Sequence, residues 1–405
     1  MRLRFVIIAL VSVVALTLAV TGFITVYRKK EMKYQKLVYL LLALITVTSG
    51  LSFTYVANIY YQTKYNKLVL PNTVVIDGKE ISTLANAKER LVLPMAYETI
   101  EATHPSVVNM PEKWQGFKYW MAVTAYPKGD ANFENPHILV SNDLITWEAP
   151  LGLTNPLDEP VSTENDSFDR PKQYNSDTHL IYNEEKQRLE VFWRYVDDVN
   201  NQVTIFRSTS SEGSHWSLKE VFYQADRKQG DWVSPAFIKD QKGYKVWYIA
   251  NGYRLWYQES QTGETWSKPK ELQVPYRDNA SSMKHWHLDV QKFGDTYEML
   301  MVGFKILGDK ADITDRHKMN LYHATSTDGQ EWNNLEPILY PSQVDDQWDG
   351  KGIYRSAFIK EKGKYYVFYS GIGFDDTRGI GLAYGDDINH LKGLAYSDMS
   401  DLFND

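Results

Sequence analysis

Two long apolar segments lie near the start of the chain. Residues 5–26 and residues 37–60 contain no charged side chain and run for 22 and 24 residues. Each is longer than the roughly 20 residues that a helix needs to cross a bilayer. Five basic residues lie between them, in the segment RKKEMKYQK. The pattern predicts two transmembrane helices within residues 1–62.

The charges around these segments predict their orientation. The basic loop outnumbers the basic residues before the first segment and those directly after the second. Because basic loops stay in the cytoplasm, both termini are expected outside the cell. A cleaved signal peptide is the alternative for the first segment, although that segment lacks a small-residue cleavage site. The chain from residue 63 onward is therefore predicted to be extracellular and held at the cell membrane.

A seven-residue pattern recurs through the rest of the chain. Four copies begin with serine and end with tryptophan: SNDLITW (141–147), SSEGSHW (210–216), SQTGETW (260–266) and STDGQEW (326–332). A fifth, GDDINHL (385–391), carries Leu391 in the tryptophan position. Each unit predicts the end of a strand, a tight turn and a tryptophan that packs back onto the sheet.

Two further strands precede each copy. One is rich in aromatic residues, as in FKYWMAV (117–123), and the strand before it has smaller residues, as in HPSVV (104–108). Five such units without helices between them are typical of a β-propeller. The predicted fold class is all-β, with a five-bladed β-propeller over residues 98–405 and a stalk or linker over residues 63–97. A two-sheet sandwich with coincidental tryptophan spacing is the alternative.

The first strand of each blade carries polar residues at its start. In a propeller these strands line the central channel, so their leading residues are expected to converge. Two positions further on, the strand period of two predicts a second set on the same face. A ring of charged and polar side chains inside a channel needs a ligand, a metal ion or mutual pairing. A plug of paired polar side chains is the alternative interpretation. The leading residues are His104, Asp177, Ser234, His287 and Arg355, and the second set is Ser106, His179, Ala236, Asp289 and Ala357.

Loops beside these strands add aromatic and acidic residues. Aromatic faces stack on sugar rings, and carboxylates accept hydrogen bonds from sugar hydroxyls. Together they favour a carbohydrate as the ligand of the channel mouth. The added candidates are Glu134, Asn135, Arg170, Asp231, Trp232, His285 and Trp286.

The amino-acid composition excludes several other classes of protein. The chain has no cysteine, which excludes a disulfide framework and a thiol nucleophile. Its 12 tryptophans, 28 tyrosines and 16 phenylalanines exclude a disordered chain. Residues 1–67 hold nine basic residues against one acidic residue, whereas the remainder holds 35 against 50. A domain this acidic lacks the basic surface that nucleic-acid binding requires.

The blades resemble those of glycoside hydrolase families 43 and 32, which are five-bladed propellers. The resemblance rests on the segments HPSVV, SDTHLIY, SPAFI and YRSAFI. It implies three acids, and Asp177 matches the acid of blade 2. His104 stands where the acid of blade 1 is expected, and the glutamate position of blade 3 falls near residues 233–234, with Asp231 as the nearest carboxylate. The match to the catalytic pattern of the family is therefore incomplete.

The sequence thus predicts a membrane-anchored glycosidase that cleaves a surface or extracellular polysaccharide by carboxyl-based acid–base chemistry. No cofactor is assigned, although a metal ion bound by the channel histidines stays open. The alternatives are an inactive glycan-binding propeller and an accessory protein of polysaccharide assembly. The predicted catalytic residues are Asp177, Glu134, Asp289 and Asp231. The predicted substrate-binding residues are His104, His179, Ser234, His285, His287, Arg355, Arg170, Trp232, Trp286 and Asn135.

Overall fold

The computed structural model describes residues 72–395 except 77, 251, 278–281 and 307–317, and also positions 17, 21, 42, 43 and 45–47. The chain divides into two compact units, Met1–Val69 and Leu70–Asp405. In the first unit the seven described positions are helical. The rest of the two predicted membrane helices lies outside the described residues. Within the described residues no helix is both long and apolar enough to span a membrane.

The second unit is built from antiparallel sheets in which consecutive strands are neighbours. A small hairpin, β1 (Thr73–Ile76) and β2 (Lys79–Ser82), comes first. Blade 1 has three strands: β3 (Ala102–Trp114), β4 (Phe117–Ala125) and β5 (Pro136–Ser141). Blade 2 has four: β6 (Gln173–Asn183), β7 (Arg188–Asp197), β8 (Gln202–Ser210) and β9 (Glu220–Asp226). Blade 3 contains β10 (Val233–Asp240), β11 (Gly243–Ala250), β12 (Arg254–Ser260) and β13 (Lys270–Leu272).

The last two blades repeat the four-stranded plan. Blade 4 contains β14 (Met283–Phe293), β15 (Thr296–Lys305), β16 (Asn320–Ser326) and β17 (Glu336–Leu339). Blade 5 contains β18 (Gly352–Glu361), β19 (Lys364–Ile372), β20 (Arg378–Gly385) and β21 (Lys392–Gly393). Helical structure in this unit is limited to the turn α1 (Arg227–Gly230) and two short 3-10 turns within the described residues. The first strands contact one another in the order β3, β6, β10, β14, β18 and back to β3. The predicted five-bladed propeller is confirmed.

The recurring serine and tryptophan pattern marks the same turn in blades 1 to 4. Each serine is the last residue of the third strand, and its Oγ accepts a hydrogen bond from the N–H three residues later. That third residue has a positive φ: Leu144, Gly213, Gly263 and Gly329. Three of the tryptophans, Trp147, Trp216 and Trp332, donate Nε1–H to its carbonyl. The turn and the tryptophan therefore form one local unit, as predicted.

Adjacent blades are joined by tyrosine hydroxyls that donate to buried carboxylates. Tyr244 of blade 3 donates to Glu190 of blade 2 over 2.7 Å, and Tyr365 of blade 5 donates to Glu298 of blade 4 over 3.0 Å. The ring closes in the same way, because Tyr119 of blade 1 donates to Glu361 of blade 5. Burial of these groups in hydrogen-bonded pairs avoids the cost of an unsatisfied polar atom.

The segment before blade 1 belongs to the propeller, in contrast to the linker predicted for residues 63–97. Ala87, Leu91 and Leu93 are fully or almost fully buried in the core beside blade 5. Leu91 N–H donates to Ile380 of β20, and Gly393 of β21 donates to Leu84. Small and apolar residues in this stretch bury against the sheet, so the propeller unit begins before residue 98.

We predict that Gly329→Ala destabilises the propeller more than Gly363→Ala. Both glycines have a positive φ, +75° and +85°, but an added Cβ would lie 2.8 Å from the Trp247 ring at Gly329 and in open space at Gly363. Gly363→Ala is the control and should lower the free energy of unfolding by about 1–2 kcal/mol through backbone strain alone. Gly329→Ala should lose roughly 1–3 kcal/mol more through overpacking. Equal losses in urea unfolding would contradict this account of the turn.

Candidate functional site

A bulge at the start of each inner strand forms the channel mouth. The pairing of the inner strand with the second strand of its blade shifts in register at this point in all five blades. In blades 1 to 3 the leading residues His104, Asp177 and Ser234 adopt positive φ values of 54°, 50° and 52°. Non-glycine residues in this conformation are strained, and such strain concentrates at functional sites.

One cavity of about 920 Å³ opens over these bulges. This volume is near the upper end of the roughly 300–1,000 Å³ that ligand sites occupy. Seven of the predicted site residues line it: His104, Glu134, Arg170, Asp177, Asp231, Trp286 and His287. The cavity therefore brings together half of the residues singled out from the sequence.

Asp177 lies at the floor of the cavity and is only 2% exposed. Its Oδ1 is 3.5 Å from Nε2 of His104 and 3.4 Å from Nδ1 of His287. Nη1 of Arg355 lies 3.8 Å from the same oxygen. Residues from blades 1, 4 and 5 thus surround one carboxylate from blade 2. The carboxylate is the electrostatic centre of the site.

The surroundings fix the protonation of this cluster. Burial alone would raise the pKa of Asp177, but the contact with His287 and the charges around it, including Arg355, hold the pKa well below its usual range. Burial lowers the pKa of His104, opposed by Glu134. The floor therefore presents an ionised carboxylate beside a neutral imidazole. This is the protonation state in which both groups bind cations.

The three residues His104, Asp177 and His287 fit a metal site. One ligand atom from each can be chosen so that all lie within 4.8 Å of one another. Nε2 of His104 and Oδ1 of Asp177 are buried and have no hydrogen-bond partner within the described residues. Metal–ligand bonds of 2.0–2.1 Å in a tetrahedron place neighbouring ligands about 3.3 Å apart. Oδ1 of Asp177 lies at similar distances, 3.5 and 3.4 Å, from a nitrogen of His104 and of His287. Three protein ligands leave a fourth position open, as in catalytic rather than structural sites.

Glu134 supports this geometry from behind His104. Its Oε1 lies 2.9 Å from Nδ1 of His104, and both side chains are buried. A carboxylate on one nitrogen of an imidazole fixes the ring and aims the other nitrogen at a metal. Burial raises the pKa of Glu134, and the interaction with His104 opposes that rise. Glu134 is therefore best described as the group that orients His104.

Asp231 lines the cavity but has both oxygens occupied. Arg194 donates to Oδ1 over 2.8 Å and to Oδ2 over 2.6 Å. Such a two-point contact fixes the orientation of the carboxylate. The structure thus places Asp231 on the cavity wall as a salt-bridge partner of Arg194, and its catalytic role stays a prediction.

A second layer lies beneath the floor and joins the blades. His179 Nε2 donates to the carbonyl of Phe237, linking blades 2 and 3 over 3.0 Å. Ser234 Oγ accepts from Leu288 N–H, linking blades 3 and 4 over 3.3 Å. Asp289 does the same between blades 4 and 5, accepting from Phe358 N–H over 3.3 Å. Within the described residues none of these three lines the cavity, so the structure does not bring them to the site as the sequence predicted.

Arg355 belongs to the same lower layer. It is fully buried and donates through Nη2 to the carbonyl of Pro235 over 3.0 Å. The residue is not part of the cavity lining, so it reaches the site only through Asp177. A polar plug of paired side chains, the alternative drawn from the sequence, describes this layer but not the floor above it.

Three predicted substrate-binding residues lie elsewhere. Trp232 is buried and stacks on Tyr223 with ring centroids 3.8 Å apart. His285 stacks on Tyr276 and shares a 2.9 Å hydrogen bond with its hydroxyl. Asn135 donates to the hydroxyl of Tyr97. These contacts lie outside the cavity lining, so the structure does not bring the three residues to the site.

Other residues of the cavity were missed by the sequence analysis. Arg194 is one, and its signal was a basic residue inside the apolar strand LEVFWRY. Tyr354 is another, with its ring 4.2 Å from that of His287. Phe168 and Tyr174 also line the cavity, on or next to a loop that carries no regular pattern. Only the burial of Arg194 in a strand could have been noticed in advance.

The fold and the site together define a β-propeller similar to carbohydrate-active hydrolases. The chain is 26% identical over 313 residues to an A type blood N-acetyl-alpha-D-galactosamine deacetylase from Flavonifractor plautii, covering 66% of this chain and 39% of that protein. The chain thus spans about two fifths of the length of this curated relative. No protein-family model matches the chain.

Two solved structures are also similar to this chain in fold. An N-acetylgalactosamine deacetylase from F. plautii, in complex with blood group B trisaccharide, has a TM-score of 0.64 at 23% identity, covering 73% of this chain and 94% of that one. Bacteroides ovatus xyloglucan PUL GH43B has a TM-score of 0.50 at 14% identity, covering 72% of this chain and 54% of that one. The resemblance to family 43 propellers is confirmed at the level of fold.

We predict that the protein binds one divalent cation and that His287→Gln abolishes this binding. His285→Gln is the matched control, because it removes a histidine two residues away that lies outside the cavity. Glu134→Gln should weaken binding by about 10- to 100-fold, the usual effect of losing a partner of a metal ligand. Titration calorimetry with zinc and manganese chlorides measures each variant. Equal affinities for His287→Gln and His285→Gln would contradict the assignment.

Proposed function

We propose that this protein is a metal-dependent hydrolase that removes the acetyl group from N-acetylated sugars of a surface or extracellular glycan. The observation that carries the proposal is the buried cluster of His104, Asp177 and His287 at the floor of a large cavity. The sequence likeness to an N-acetylgalactosamine deacetylase supports the class of substrate.

Each residue of the floor has a role in this chemistry. His104, Asp177 and His287 would hold the cation, and Glu134 keeps His104 in the required orientation. A bound divalent cation acts as a Lewis acid toward a substrate carbonyl oxygen. Trp286 and Tyr354 flank His287 and form an aromatic wall on that side of the floor. Arg355 stabilises the ionised form of Asp177 from below.

The carboxyl groups are poorly placed for a two-carboxylate glycosidase. Glu134 and Asp177 contact opposite nitrogens of the His104 ring, so the imidazole occupies the space between them. A glycosidase needs the scissile bond in that space. Asp231 is held by Arg194, and Asp289 lies below the floor. These contacts favour deacetylation over glycosidic cleavage.

Glycoside hydrolysis is kept as a second candidate because one observation favours it. Burial raises the pKa of Glu134 while the pKa of Asp177 is held low. A raised and a lowered carboxyl pKa are what a general acid and its partner require. The fold likeness to family 43 propellers is consistent with this candidate.

We also propose that the N-terminal segments anchor the propeller at the outer face of the cell membrane. Two uncharged segments of 22 and 24 residues, separated by a basic loop, support this location. An anchored enzyme would act on glycans near its own surface.

We predict that Asp177→Asn lowers turnover by about 10²–10⁴-fold while the fold survives, since one positioned carboxyl contributes that much. The assay is acetate release from N-acetylhexosamine polymers and from N-acetylhexosaminides, with and without a chelator. A chelator should abolish activity, and His285→Gln should retain it. Reducing-sugar release without acetate would instead support the glycosidase. Binding without either product would leave a glycan-binding propeller and contradict both enzymatic functions.

We predict that protease added to intact cells digests the propeller and spares the basic loop of residues 27–36. The outward orientation of the propeller follows from the charge of that loop. Immunoblots against tags at the C-terminus and in the loop report the two sides, with lysed cells as the control. Full protection of the C-terminal tag in sealed cells would overturn the proposed orientation.

A further inference from the structure

The rim of the cavity carries a strongly exposed aromatic side chain. Phe168 is 78% exposed and lines the same cavity as His104, Asp177 and His287. It lies on the connection between blades 1 and 2, ahead of β6. Leaving a phenylalanine ring in water forgoes the burial energy that such a ring normally contributes. The exposure therefore calls for an explanation in terms of what covers the ring.

The loop around Phe168 is held by hydrogen bonds within the loop itself. Asp166 Oδ1 accepts hydrogen bonds from the N–H groups of Phe168 and Arg170, over 2.8 and 3.0 Å. Asp166 N–H donates to the carbonyl of Arg170, and Lys172 N–H donates to that of Glu164. These contacts hold the tip of the loop in one shape. The exposed ring is consequently a preformed surface rather than a side chain that folds away.

Arg170 covers one face of the Phe168 ring. Its guanidinium lies 5.4 Å from the ring centroid and is held by Asp166 at 2.6 Å. A cation over an aromatic face is favourable and fixes the plane of the ring. With Arg170 on one side, a flat apolar group can approach from the cavity side. The apolar face of a sugar ring has this shape.

Three arginines of the rim are each paired with an aspartate. Arg170 pairs with Asp166, Arg194 with Asp231, and Arg227 with Asp198. Paired charges offer little net attraction to an anion. These three pairs therefore favour an uncharged sugar over an anionic one.

We propose that Phe168 stacks on a second sugar ring of an uncharged oligosaccharide whose reacting ring lies on the floor of the cavity. This inference rests on the proposed function for the floor, and it adds that the substrate is a chain of sugars rather than a monosaccharide. The volume of about 920 Å³ accommodates more than one ring. Phe168 is a specificity residue, because it selects for chain length without touching the reacting group.

The test is binding of N-acetylglucosamine oligomers of one and four sugars to the full-length protein in detergent, with a chelator present to prevent turnover. Calorimetry should give the wild type at least about tenfold higher affinity for the tetramer than for the monomer. Phe168→Ala should lose about tenfold in affinity for the tetramer and leave the monomer unchanged. Phe168→Tyr keeps the ring and should behave as the wild type.

Val161→Ala is the matched control, since Val161 is 85% exposed on the same connection but lies outside the cavity lining. Equal tetramer affinities for the wild type and Phe168→Ala would overturn the inference, as would the absence of tetramer binding. Tetramer binding that depends on Phe168, together with no acetate release in a separate assay without chelator, would sustain the inference and refute the proposed reaction. Acetate release that Phe168→Ala leaves unchanged for both the monomer and the tetramer would overturn the inference and sustain the proposed reaction.

Discussion

The burial of one negative charge governs the centre of this propeller. Asp177 is withdrawn from water at the point where the inner strands meet, and removing its partners would leave an uncompensated charge at a cost of about 3–5 kcal/mol. The groups that face it come from three other blades: His104, His287 and Arg355. No single blade can satisfy this carboxylate. The site is therefore assembled from residues that only the closed ring of blades brings together.

Two layers of polar side chains at the channel mouth have different roles. The lower layer, with His179, Ser234 and Asp289, joins neighbouring inner strands by hydrogen bonds. The upper layer leaves Nε2 of His104 and Oδ1 of Asp177 directed at a common point without hydrogen-bond partners in the described part of the chain. The lower layer gives the upper one a fixed base. A rigid base of this kind is what a metal site needs to hold its ligands at the correct spacing.

The sequence predicted the architecture because each blade repeats the same local chemistry. A serine that caps a turn and a tryptophan that packs behind it are short-range features, so they are visible in the chain itself. The leading residues of the inner strands were also found, and His104, Asp177 and His287 do meet. The site is thus predictable as far as it depends on the repeat.

The prediction failed where the bulges break the alternation of the strand. A period of two placed His179 and Asp289 on the same face as the leading residues. In β6 the register shifts between Ser176 and His179, which breaks that alternation. In β14 the shift lies between His285 and His287, ahead of Asp289. Both side chains contact the next blade instead of lining the cavity. Phe168 was missed for another reason: its position depends on hydrogen bonds within an irregular loop, which no periodicity records.

The central claim is that His104, Asp177 and His287 form a cation site, and anomalous diffraction tests it most directly. Crystals of the protein grown with manganese or zinc should show one strong anomalous peak per chain, bonded to Nε2 of His104, to Oδ1 of Asp177 and to a nitrogen of His287. The peak should disappear in crystals of Asp177→Asn. A peak at any other position, or an ordered water with ordinary hydrogen bonds to these three side chains in the presence of the metal, would contradict the account.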